Sequence, residues 1–169
     1  ARSGDKEGAV ARLREAIRRT PHASQFYEDL DSIVGTAEER TRTWRELVDE
    51  IVPPGRARFH LGLALADAGR AGEAIEVLRT ASEEMPDDGA VRDAIEAVRA
   101  ARGVAEAERL VTQQRWRDAI AAYEEAVRMK PSDPDLYDRL DVLLREHAPL
   151  PRRVEVWEQL AEAEPGRSQ

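Results

Sequence analysis

Residues 61–86 read LGLALADAGRAGEAIEVLRTASEEMP, and this stretch decides the fold. Apolar and small residues recur at helical spacing, first as Phe59, Leu61, Gly62 and Leu65, then as Ala74, Ile75, Leu78 and Ala81. A 3.6-residue period puts each set on one helix face. Gly69 breaks the run between them. Met85-Pro86 stops the second set, because proline lacks an N–H and clashes with the preceding turn. The stretch predicts two helices joined by a tight turn. Gly62, Ala74 and Ala81 let the helices approach closely, and Leu78 fills the wider gap between them.

Outside this stretch the chain repeats itself. YEDLDSIV at 27–34 returns as YDRLDVLL at 137–144, so Tyr27, Leu30, Asp31 and Val34 each meet a counterpart 110 positions on, at Tyr137, Leu140, Asp141 and Leu144. GAVARLREAIRRTP (8–21) lies over DAIAAYEEAVRMKP (118–131) at the same shift. WREL (44–47) resembles WEQL (157–160), and PGR (54–56) recurs as PGR (165–167), with the small drift of register falling in loops. Repetition of this kind marks units that bury their apolar faces only against neighbours. The long period suggests duplication of a block of about three helical pairs.

The pattern resembles the tetratricopeptide repeat, a helix–turn–helix of about 34 residues. Leu61, Gly62, Leu65, Gly69, Ala74, Leu78, Ala81 and Pro86 stand at the positions that characterise it, and the match over 55–88 is specific. Residues 100–133 keep Leu110, Trp116, Ala119, Tyr123, Ala126 and Pro131 but carry Glu106-Ala107 in place of the Leu-Gly pair. Residues 134–167 keep Tyr137, Leu140, Leu144, Trp157 and Pro165, and residues 24–54 keep Tyr27, Leu30, Val34 and Leu47. Residues 4–21 look like the second helix of a unit whose first helix is missing. The resemblance implies an all-α fold, a right-handed α-solenoid of antiparallel helix pairs. It reads as a single array over 1–169, with units near 4–21 (partial), 24–54, 55–88, 89–133 (extended) and 134–167.

Nine helices are expected, near 5–20, 24–34, 37–51, 55–68, 71–85, 88–114, 116–130, 134–146 and 151–163. The 88–114 segment is unusual, because Pro86 and Pro131 lie 45 residues apart, longer than one repeat. Val91, Ala94, Ile95, Val98, Ala101, Ala105 and Leu110 keep helical spacing through it. One helix of ~40 Å accounts for this. The alternative is a break at Gly103, which costs ~1 kcal/mol relative to alanine inside a helix. Thr36 followed by Glu39 predicts a capping box, and Asp133 before Pro134 an N-cap with proline at the first helical position.

Composition narrows the function. Lys plus Arg number 26 against 34 Asp plus Glu, a net charge of −8, which argues against a nucleic-acid reader. No apolar run is long enough for a transmembrane helix, and the first residues lack the apolar stretch of a signal peptide, so the expected location is cytoplasmic. Cysteine is absent, which excludes disulfides, thiolate metal sites and cysteine nucleophiles. Lys6 and Lys130 are the only lysines, an arginine bias typical of a high-GC bacterial genome. His22, His60 and His147 have no metal-ligand spacing, and no phosphate-binding or GxSxG motif occurs. Paired acids such as Glu83-Glu84, Asp87-Asp88 and Glu124-Glu125 read as solvated helix faces and starts. No cofactor, metal or catalytic residue is expected.

The binding expectation follows from the resemblance. First helices of successive units line a concave surface that holds peptides or other proteins. By position this points to Gln25, Glu28 and Ser32, then Arg56, Phe59, His60, Leu63 and Asp67, then Val104, Glu108 and Thr112, and finally Asp135, Asp138, Val142 and Arg145. Phe59 and Leu63 would form an apolar centre with Arg56, His60 and Asp67 as a polar rim. Alternatively Phe59 covers the neighbouring helix. The lysine–asparagine clamp that some such arrays use on chaperone carboxylates has no counterpart, since asparagine is absent and neither lysine falls on a first helix. Trp44, Trp116 and Trp157 fall on second-helix stripes and read as core, though each could stack on a ligand. Pro149-Leu150-Pro151 reads as a stiff connection, with a recognition loop as the alternative. Incomplete apolar covering at both ends suggests a slice of a longer protein. The leading expectation is a protein-interaction scaffold. The alternatives are a docking domain of a larger bacterial enzyme and a self-assembling scaffold that forms homo-oligomers through its ends.

Overall fold

The computed structural model describes residues 3–163, all-α among those residues. The helices are α1 (Ser3–Arg19), α2 (Ser24–Ile33), α3 (Ala37–Glu50), α4 (Gly55–Asp67), α5 (Ala71–Glu84), α6 (Gly89–Thr112), α7 (Trp116–Met129), α8 (Pro134–His147) and α9 (Leu150–Ala163). Each falls within two residues of its expected span. α6 runs unbroken through Gly103, about 36 Å at 1.5 Å per residue. Gly103 there faces Ala126, whose Cβ would lie 3.7 Å from an added methyl. Pro165 and the second PGR lie outside the described residues.

Local chemistry sets the ends. The Thr36 side chain accepts from the Glu39 N–H while the Glu39 carboxylate accepts from the Thr36 N–H, completing the capping box. Asp133 accepts from the Asp135 N–H with Pro134 opening α8. α4 and α5 are joined through Gly69 at φ 74°, with Arg70 N–H donating to Leu65 O at 2.9 Å and Gly69 N–H to Ala66 O at 2.9 Å. That bond pair is the Schellman arrangement. Gln114 at φ 58° makes the same turn between α6 and α7, with Arg115 N–H to Leu110 O and Gln114 N–H to Val111 O, both 2.9 Å.

The chain divides into two compact units, residues 1–95 and 96–169, with the division inside α6. In unit 1, α1 packs on α2, α3 on α4, α4 on α5, and α2 on α4. α4 therefore meets neighbours on three sides. This explains why Ala57, His60, Leu61, Gly62, Ala64 and Leu65 are all buried, as expected of a helix apolar round most of its girth. Gly62 sits directly beneath Leu78 of α5. A Cβ there would lie 2.5 Å from Leu78 Cγ. Polar ties join α1 to α3: Arg14 pairs with Glu46 at 2.7 Å and Arg18 with Glu50 at 2.6 Å. The Arg18 hydrogen bond, against a smaller opposing effect of burial, holds the Glu50 carboxyl below the usual range.

Unit 2 has its own core. Ala107 and Leu110 of α6 pack with Ala119, Ile120, Tyr123, Ala126 and Val127 of α7, Leu136, Leu140, Leu143 and Leu144 of α8, and Val156 and Leu160 of α9. Glu124, expected on a solvated helix face, is instead buried within it. Its charge is met by Arg152 at 2.7 Å from α9 and by Arg128 at 3.6 Å. That ion pair ties α7 to α9.

Candidate functional site: the first-helix faces

Unit 1 brings two first helices together, α2 and α4. Gln25, Glu28 and Ser32 recur along α2 at i, i+3 and i+7, and all are exposed. Gln25 donates to Asp29 at 2.9 Å and Ser32 Oγ to Asp29 O at 2.7 Å, while Glu28 has no ion-pair partner among the described residues. On α4, Arg56, Phe59, Leu63 and Asp67 form one stripe. Phe59 and Leu63 are half-buried, in contrast to Leu61 at 6% and Leu65 at 1% exposure. Asp67 is exposed and takes an ion pair from Arg40 at 2.7 Å. Arg56 lines a cleft of about 660 Å³ with His22, Pro53, Met85 and Pro86, and its charge reaches Tyr27.

His60 departs from the sequence expectation. It is 7% exposed and belongs to the core, not to a contact rim. Its ring packs on Tyr27 (centroids 5.5 Å) and Trp44 (4.8 Å), with Phe59 edge-on at 5.4 Å. Its Nδ1 lies 2.6 Å from Asp31 Oδ2, and the Trp44 indole N–H donates to Asp31 Oδ1, also at 2.6 Å. An ionised carboxylate only accepts, so Nδ1 carries the donated proton. The cause is positional: α4 is enclosed by three helices, and the polar atom of a buried ring finds a partner. Burial pushes the Tyr27 phenol up, partly offset by Arg56, and its hydroxyl donates to Pro21 O at 3.0 Å. Asp31 was visible in the sequence as a repeated letter only. The one signal for its role was its matching register with Tyr27 and its nearness to a tryptophan-bearing helix.

In unit 2 the expected residues lie on α6 and α8. Glu108 is exposed and pairs with Arg139, linking the two helices. Val104 is half-buried against the core, and Thr112 Oγ1 donates to Glu108 O at 3.0 Å. Asp135 and Asp138 are exposed, Val142 is 50% exposed, and Arg145 is engaged by Asp141 one turn back. Of the tryptophans, Trp44 is core at 1% exposure. Trp116 and Trp157 are only half-buried, packed against the unit 2 core. Trp116 stacks on His147 and Trp157 on Tyr137. Among the described residues no group of three or more His, Asp or Glu side chains could hold a metal ion. No helix among them is long and apolar enough to cross a membrane.

A family model described as tetratricopeptide repeat matches residues 42–89 and 104–145, more than half of the chain. The first match covers the α4–α5 pair and the second the end of α6 with α7 and most of α8. No curated protein matches the chain. Repeats of this kind generally mediate contacts between proteins. The chain belongs to the tetratricopeptide repeat family.

Proposed function

We propose that the protein is an interaction scaffold that holds a segment of another protein on its first-helix faces, with the α4 stripe of unit 1 as the principal contact. One observation carries this reading. Every other large apolar side chain of α4 is buried, yet Phe59 and Leu63 remain half-exposed on one stripe with Arg56 and Asp67. Glu28 and Ser32 on α2 supply polar groups in the same unit, giving an apolar centre with a polar rim. Glu108, Asp138 and Arg145 offer a second, more polar face in unit 2. The test is affinity capture with the chain and with a Phe59→Ser/Leu63→Ser variant, alongside a thermal melt of each. Retention by the first and loss by the second, at unchanged melting temperature, supports the reading. If the variant melts far lower, both side chains are packing residues and the site is wrong.

Val154, 47% exposed on α9 beside half-buried Trp157, favours a second reading in which the protein self-associates through its last helix. Light scattering over a concentration series tests it. A strict monomer throughout rejects it.

A further inference from the structure

The turn between α6 and α7 copies the turn between α4 and α5 in backbone and charge. Gln114 and Gly69 share the left-handed conformation, and the following arginine makes the same pair: Arg70 with Glu73, Arg115 with Asp118. The copies differ in the residue that opens the second helix, Ala71 in unit 1 and Trp116 in unit 2. A turn of this geometry therefore folds with or without an aromatic ring, and the half-buried indole both packs against the unit 2 core and lines a cleft beside it.

Trp116 lies ring on ring with His147 from the end of α8, centroids 3.8 Å apart and planes parallel. Both line a cleft of about 900 Å³ in unit 2 whose apolar lining is Ile120, Ala121, Ala148 and Pro149. Leu150, the residue after Pro149, is 65% exposed. The charged lining is Arg115, Arg117 and Arg152 against the single acid Asp118, a positive balance in a chain of net charge −8. Arg115 is taken by Asp118, and Arg152 by Glu124 and Glu155. Arg117 is exposed and has no ion-pair or hydrogen-bond partner among the described residues.

We propose that this cleft is a second docking site, for an acidic segment of a partner protein. One apolar side chain of the segment lies against the Trp116–His147 pair, and one carboxylate pairs with Arg117. Charge decides the occupant. Arg115 and Arg152 are already neutralised by their own acids, so the uncompensated charge is that of Arg117, which opposes a basic segment and pairs with an acidic one. A long polyanion such as nucleic acid would be repelled by the rest of the chain.

The test uses the full chain with ¹⁵N-labelled indoles. The probes are the acetylated hexapeptide Asp-Glu-Leu-Pro-Glu-Asp, its charge-reversed form Lys-Arg-Leu-Pro-Arg-Lys and a single-stranded oligonucleotide. The acidic probe alone should shift the Trp116 indole signal saturably. Arg117→Glu, at an exposed position, should weaken it roughly tenfold or more, the cost of turning one attraction into repulsion. By titration calorimetry, which needs no indole reporter, Trp116→Ala should abolish binding of the acidic probe with helicity retained, and Phe59→Ser/Leu63→Ser should leave it unchanged, separating this site from the α4 face. The proposal is overturned if no saturable shift appears, if either other probe binds as well, or if Arg117→Glu binds normally. Loss of binding in the α4 variant overturns it too, as does a concentration-dependent Trp116 shift without probe, which would put a second copy in the cleft.

Discussion

In unit 1 the rings of Tyr27 and Trp44 stack with centroids 5.6 Å apart and planes 5° apart. In unit 2 Tyr137 and Trp157 do the same at 6.2 Å and 11°. The 110-residue repetition thus returns as one aromatic pair in each unit. What surrounds the pairs differs. Tyr27 and Trp44 are sealed at 0% and 1% exposure, with α4 supplying His60 and Asp31 bonding both the indole and the imidazole. Tyr137 and Trp157 stay half-buried, and Asp141, the counterpart of Asp31, turns to Arg145 on its own helix. No helix follows α9 among the described residues to play the part of α4. The stack is a property of the helix pair, whereas its burial and polar anchoring come from the next first helix along.

The comparison is broken or sharpened most strongly at the two aspartates. Asp31→Ala leaves two buried donors without an acceptor and should cost about 3 kcal/mol. Asp141→Ala removes only an exposed pair one turn apart and should cost less than ~0.5 kcal/mol. Urea unfolding measures the totals, and amide hydrogen exchange assigns each loss to its unit. Equal losses would mean the anchoring of unit 1 is incidental. Next come the close approaches. Gly62→Ala drives a methyl into Leu78 and should cost about 2 kcal/mol, as overpacking does. Gly103→Ala meets only ordinary contact with Ala126 and should gain up to about 1 kcal/mol in helix propensity. If Gly62→Ala is harmless, α4 and α5 are not as tightly seated as their geometry states.

The two left-handed turns give a smaller effect of opposite sign. Gly69→Ala meets no steric neighbour, so its cost is conformational, about 1 kcal/mol. Gln114→Gly relieves the same strain in unit 2 for a net gain of roughly 0.5 kcal/mol after the added freedom of the unfolded chain. Thermal melts of both variants check the pair of signs. The smallest effect is in pH. Glu50 in unit 1 has its folded value lowered by Arg18, which bonds it across helices, and Glu106 in unit 2 has its own lowered by Arg109 within one helix. A lowered folded value means the unfolded chain binds the proton more readily. The contribution is present above the usual carboxylate range and is lost as pH falls through the folded value. On acidification, hydrogen exchange should therefore rise in α1, where the Glu50 tie reaches, before it rises in the core of unit 2.

Most of the helix map was legible because its punctuation is chemical. Pro86, Pro131, Gly69, Thr36 with Glu39, and Asp133 with Pro134 each mark an end by a backbone rule that tertiary structure does not override. Gln114 escaped notice because glutamine carries no preference for the left-handed region; only its register with Gly69 would have exposed it. The candidate faces were legible as stripes, but depth within a stripe was not. Phe59, His60 and Leu63 share one side of α4, and only the third neighbouring helix decides that His60 sinks while the other two stay half-exposed. The Trp116–His147 contact joins residues 31 positions apart, whose meeting depends on how α7 and α8 pack.

The seat of Leu78 over Gly62 has a consequence for how such a chain drifts over generations. With 2.5 Å between the Leu78 branch and the place a methyl would occupy, the two positions are not inherited as independent traits. A lineage that acquires alanine at 62 must shorten or reshape the side chain at 78 to keep the same seat. A change at 78 alone meets a neighbour with nothing to trim. Neither order is free, since shortening the fully buried Leu78 first opens a cavity and alanine at 62 first overpacks the seat, so the two positions change as a pair.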